Sequence, residues 1–143
     1  MTTSTDTHSV VRRSDVNDFL PGQDGSYLTY ASDLGSAQIG FNVRELAPGE
    51  RSIIPGKSQR WGHAHREIEE IYYVAEGEIR VKAGEEHVTL ATGDAICVQP
   101  GTFRGMENRT SSPARVVMMS RSVENAMQEV DMDDDFWNDD PAA

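Results

Sequence analysis

The sequence predicts an all-β fold, a sandwich or closed barrel of short antiparallel strands, and three observations carry this. Runs enriched in Val, Ile, Tyr and Thr recur at roughly ten-residue spacing between Ser26 and Arg121. Turn pairs separate them: Pro48-Gly49, Pro55-Gly56, Glu76-Gly77, Gly84-Glu85, Gly93-Asp94 and Pro100-Gly101. Little of this span carries the apolar period of a helix.

The elements follow in order. Residues 1–24 are polar and rich in Ser, Thr and Asp, which predicts a loose arm with a short strand at Ser9–Arg12. Residues 25–121 make the barrel. Its strands are expected at Tyr27–Ala31, Ala37–Leu46, Arg51–Ile54, Trp61–His65, Glu70–Ala75 and Glu78–Lys82. The series continues with His87–Ala91, Ala95–Gln99, Met106–Asn108 and Arg115–Ser120. Residues 122–143 form an acidic tail expected to lie over the body. A short helix is expected to open it, with Ser122 as cap, Glu124 in the first turn, and Val123, Met127 and Val130 on one face. Phe136 and Trp137 are placed to anchor its end.

At 143 residues the chain fits one domain, and 37% apolar residues with a mean hydropathy of −0.55 suit a soluble globular protein. The net charge of −11 is unevenly spread. Eight acids and no bases lie between Ser122 and Ala143, and subtracting them leaves −3 for the body. Such a body offers nucleic acid no basic footprint. Nothing approaches the ~18 apolar residues of a membrane span, and Arg12-Arg13 is followed by no signal-peptide apolar run. The single cysteine, Cys97, excludes an intrachain disulfide and suits a reducing compartment, so a cytoplasmic location is expected. Cys97 itself reads as a small buried hydrophobe on a strand.

His63 and His65 stand two apart, so on a strand both imidazoles share one face. Glu70 follows at an odd spacing, so the chain must bend between them if the carboxylate is to join that face. Two imidazoles and a carboxylate leave open positions on a divalent iron, manganese, nickel, zinc or cobalt ion.

These residues also belong to a longer pattern. His63-x-His65-x4-Glu70-x6-Gly77 resembles the first motif of the cupin superfamily. Gly93-Asp94 through Gln99-Pro100-Gly101 to Phe103, Arg104 and Asn108 resembles the second. With the hairpin between them, the motifs cover nearly half of the chain. The resemblance implies a jelly-roll barrel (a double-stranded β-helix), a divalent metal on His63, His65 and Glu70, a small-molecule ligand and a homodimer. Glu69 lacks the six-residue spacing to Gly77 and reads as a rim carboxylate.

Two positions depart from the family pattern. Gln99 replaces a common proline, and Arg104 replaces the usual fourth ligand, a histidine. Arginine has no acceptor and stays protonated. At about 5 Å from a divalent ion it would be repelled by roughly 6–7 kcal/mol at an effective dielectric near 20. Three arrangements offset this. Arg104 grips an anionic substrate beyond the metal, or swings aside to pair with Glu67, Glu69 or Glu107, or pairs with Glu70 in a site without metal.

Around these, Arg104 and Tyr72 are the candidate catalytic groups, Gln99 a candidate hydrogen-bond partner, and Trp61 and Phe103 a candidate apolar wall for the ligand. His87 reads as a surface residue, and His8 carries no signal. Cupins of this kind include dioxygenases, isomerases, epimerases, decarboxylases and lyases. Two functions follow: a metal-dependent enzyme acting on a small anionic metabolite, or a non-catalytic binding module without metal.

Overall fold

The computed structural model of the chain describes residues 2–140; Met1 and residues 141–143, the last of the acidic tail, lie outside them. The strands are β1 (Thr2–Ser4), β2 (Ser9–Val11), β3 (Ser26–Leu28), β4 (Ile39–Leu46), β5 (Gly62–His65) and β6 (Glu70–Glu76). They continue as β7 (Glu78–Ala83), β8 (Glu86–Ala91), β9 (Ala95–Val98), β10 (Arg104–Glu107), β11 (Ala114–Arg121) and β12 (Val130–Asp133).

Two five-stranded antiparallel sheets, ordered β12-β5-β10-β7-β8 and β3-β4-β11-β6-β9, make a jelly roll. Alternation explains the packing. Tyr72 and Val74 of β6, Ile79 and Val81 of β7, and Val116 and Met118 of β11 point inward and form one core with Leu46 and Met106. Ile71 and Tyr73 point outward. Gly77 joins β6 to β7 with φ +85°, and a Cβ there would meet the Pro113 carbonyl at 2.7 Å, so only glycine fits.

Several expected elements differ. The strand placed at Tyr27–Ala31 stops at Leu28, and Tyr30–Leu34 forms the helix α1, ended by Gly35. Tyr30 and Phe41 meet edge to face, and a small second cluster of Val16, Leu28 and Val43 pins this region to β4. Nor is the N-terminal arm loose: β1 pairs with β2, and Val16 and Leu20 are buried. Arg51–Ile54 reduces to one bridge between Arg51 and Glu107, whose side chains also ion-pair.

The tail departs most. Instead of a capped helix there is one 3-10 turn, Ala126–Glu129, with no side-chain cap. Ser122 extends the sheet instead, its N–H donating to the Gln38 carbonyl at 2.9 Å. Val130 and Met132 then alternate with Asp131 and Asp133, a strand pattern, and β12 pairs with the otherwise open edge of β5. The barrel sheet therefore extends past residue 121. Beyond β12, Phe136 and Trp137 are buried. Phe136 packs where a Gly62 side chain would stand, and Trp137 lies under the Arg51 guanidinium, 4.3 Å from ring centroid to cation.

Candidate metal and substrate site

Strand β5 turns His63 and His65 into the barrel and Gly62 and Ala64 toward the tail. The loop Arg66–Glu69 then reverses the chain, with Ile68 buried as its anchor, and Glu70 enters at the start of β6. The bend that the odd spacing requires is present. One ligand atom from each of His63, His65 and Glu70 lies within 4.8 Å of the others, and His65 Nε2 stands 3.7 Å from Glu70 Oε1. The imidazoles meet edge to face at 5.2 Å, and Trp61 stacks on His63 at 5.1 Å and 14°.

Burial sets the chemistry of this group. His63 is pushed down to about 3, first by desolvation, then by the positive Arg104 and by His65. His65 is also lowered by burial, against the opposing pull of Glu70. Both rings are therefore neutral at physiological pH, the form that ligates metal. The Nδ1 atoms of both rings and Glu70 Oε1 are buried without a hydrogen-bond partner. Buried polar atoms are rarely left so. Two neutral imidazoles and a carboxylate that converge, with buried polar atoms left unsatisfied among them, fit a divalent first-row ion.

Arg104 sits on β10 as the direct register partner of His63. Such partners have Cβ atoms roughly 5 Å apart and point to the same face. Its side chain is 0% exposed, and none of its three guanidinium nitrogens has a hydrogen-bond partner. Three other cations are buried among the described residues, and each is engaged. Arg44 donates to the Ile53 carbonyl, Arg51 pairs with Glu107 and Asp140, and Lys82 donates to the Phe136 carbonyl and pairs with Asp139. Arg104 alone among these four is unmatched.

Two of the three arrangements considered for Arg104 are thereby corrected. Glu107 is taken by Arg51 and Arg80, Glu67 and Glu69 are exposed on the outer surface, and no Arg104 nitrogen bonds Glu70. The swung-aside and Glu70-paired forms are not adopted.

Tyr72 is 1% exposed on the inner face of β6, and burial, with the Glu70 carboxylate, raises its phenol well above 10. Trp61 is buried beside His63. The β9 segment differs from expectation. Tyr72 is the register partner of Ile96, so Ile96 and Val98 turn inward while Cys97 and Gln99 are exposed on the outside. Gln99 thus does not reach the interior, and Cys97 is not a core hydrophobe. Phe103, just before β10, is half-buried. His87 is an outer residue whose Nε2 meets Asp139 Oδ2 at 2.6 Å.

Two contributors escaped the sequence reading. Tyr27 on β3 packs against the core, and burial, then the charge of Glu70, raises its phenol. Glu129, in the tail, reaches the loop between the ligands: its carboxylate accepts the Glu67 and Ile68 N–H groups. The alternation Val130-x-Met132 was the signal that a strand begins after it.

The comparisons with known proteins agree with this fold. A family model described as a cupin domain matches residues 43–120, more than half of the chain. The chain belongs to the cupin family. It is 32% identical over 69 residues to an uncharacterized protein of Methanocaldococcus jannaschii, a match spanning 48% of this chain and 55% of that protein. Among solved structures, a sugar phosphate isomerase of the cupin superfamily from Silicibacter pomeroyi superposes with a TM-score of 0.65 at 21% identity, covering 80% of this chain and 76% of that one. A predicted oxalate decarboxylase from Thermotoga maritima gives 0.61 at 19%, over 80% and 99%. At these identities the structural likeness is one of fold.

Proposed function

We propose that this cupin binds a divalent metal through His63, His65 and Glu70 and acts on a small anionic metabolite whose negative group is held by Arg104. One observation carries the reading: a fully buried guanidinium, in register with His63, has no hydrogen-bond partner among the described residues. A buried unpaired charge is costly and persists where a ligand completes it. A divalent ion, Glu70 and Arg104 together carry a net charge of about +2, which an anion offsets. Carboxylate and phosphate both match the fork of a guanidinium.

The bound metal would supply Lewis-acid polarisation of a substrate oxygen. The chain's own residues do the rest. Arg104 orients the anionic group and stabilises negative charge that develops beside it. Tyr72, kept protonated, donates a hydrogen bond from the inner wall. Trp61 holds the His63 ring in place and keeps that side of the site dry. Two fold relatives are named for reactions on sugar phosphates and oxalate, which are also small anions; the reading here rests on Arg104.

The test is elemental analysis of protein purified without chelator or nickel resin, followed by melting curves with manganese, iron, nickel, zinc and cobalt. Near-stoichiometric metal, or a raised melting temperature with at least one ion, is expected. Neither result would leave a metal-free binding module in its place. A further rise on adding phosphate or small carboxylates, lost in Arg104→Ala, is expected for the anion.

A further inference from the structure

We propose that Glu129, on the C-terminal tail, is a positioning residue that fixes the bend between His65 and Glu70 and so sets the geometry of the metal ligands. The inference rests on the metal reading above. A strand continued straight from His65 would carry Glu70 to the opposite face, so Arg66–Glu69 must hold a turned backbone. The first three N–H groups of that turn are all received by Glu129. Arg66 N–H donates to its backbone carbonyl at 2.9 Å, and Glu67 and Ile68 N–H donate to its Oε1 at 2.5 and 3.2 Å. Nothing nearer in sequence supplies these acceptors.

The next residue, Val130, is the register partner of His65. Glu129 therefore joins two holds on the ligand set: the strand behind it braces the histidines, and its side chain shapes the path to Glu70. Arg66 adds an exposed clasp on the same stretch, donating to the Gln128 carbonyl and to Asp131. The far end of the tail is secured elsewhere, by Phe136, Trp137 and the Lys82 and Arg51 contacts, so loss of the Glu129 side chain leaves β12 docked.

The experiment is calorimetric titration with cobalt(II) of the full chain, its Glu129→Ala and Glu129→Gln variants, and Glu124→Ala as an exposed control on the same tail. Amide exchange of Glu67 and Ile68 is followed alongside. Groups that orient metal ligands typically contribute about 10–100-fold to affinity, and a loss in that range is expected for the alanine variant, with faster exchange at both amides. The Gln variant is expected to restore both, because the two bonds fall on one oxygen and a carboxamide oxygen can accept them. Wild-type cobalt affinity in the alanine variant, or no rescue by Gln, overturns the proposal. If the wild-type chain takes up no cobalt, the metal reading fails by itself. Exchange then decides for Glu129: faster in the alanine variant supports its hold on the bend, and unchanged exchange overturns it.

Discussion

Arg104 and His63 face each other across the β10–β5 pair, so a fully buried, unpartnered cation stands beside an imidazole that burial and that same cation keep neutral. This is unfavourable for the chain alone, and the proposed anion binding rests on it.

Replacing Arg104 should therefore separate stability from function. Arg104→Met, which removes the buried charge but fills similar space, is expected to stabilise the ligand-free protein by about 1–4 kcal/mol in chemical denaturation. It should abolish stabilisation by added phosphate or carboxylates. Arg104→His, by contrast, restores a fourth donor and should tighten metal binding in titrations. A destabilised Met variant would show that Arg104 has a partner that matters to the fold.

Stability should fall with acid in a window set by His63. Its folded value of about 3 lies below the unfolded value near 6.5, so between these limits the unfolded chain binds more protons. The contribution is complete above pH 6.5 and declines as pH drops toward 3. From pH 7.5 to 4.5 this amounts to about 3 kcal/mol in urea melts, and His63→Gln should flatten the dependence. Asp139, lowered by its His87 and Lys82 hydrogen bonds, keeps its stabilising charge down to the usual carboxylate range and loses it only below. A distinct acid limb below about pH 4, absent in Asp139→Asn, is expected.

The tail should be a structural part of the barrel. Trp137 is 1% exposed, and Trp137→Ala is expected to cost about 3–5 kcal/mol. Gly62→Ala drives a methyl into the Phe136 ring and should cost about 1–3 kcal/mol. Both should speed proteolytic cleavage within residues 122–140. Equal cleavage rates in wild type and Trp137→Ala would count against the anchor.

Tyr72 should resist ionisation. In ultraviolet titration of the folded protein, Tyr27 and Tyr72 are expected to deprotonate above pH 10, with Tyr72 the later. Tyr72→Phe should remove the last phase while leaving stability within about 1 kcal/mol. An early-ionising Tyr72 would end its role as a protonated donor.

Much of the site was legible in the chain. His63 and His65 share a face because strand geometry has a period of two, a local property, and the turn glycines mark where strands end. The need for a bend before Glu70 followed from parity alone. The phase of β9 did not. Whether Cys97 and Gln99 or Ile96 and Val98 face the core depends on pairing with Tyr72, and register is a relation between strands.

The sequence by itself determined the all-β class through local spacing and turn chemistry, and its resemblance to the two cupin motifs marked the His63–His65–Glu70 set. The tertiary structure alone decided that Arg104 has no hydrogen-bond partner among the described residues, that the tail supplies β12, and that Glu129 reaches the loop before Glu70. These depend on contacts between residues more than forty positions apart, or on what fails to come near a buried charge. Short-range patterns carry no record of either.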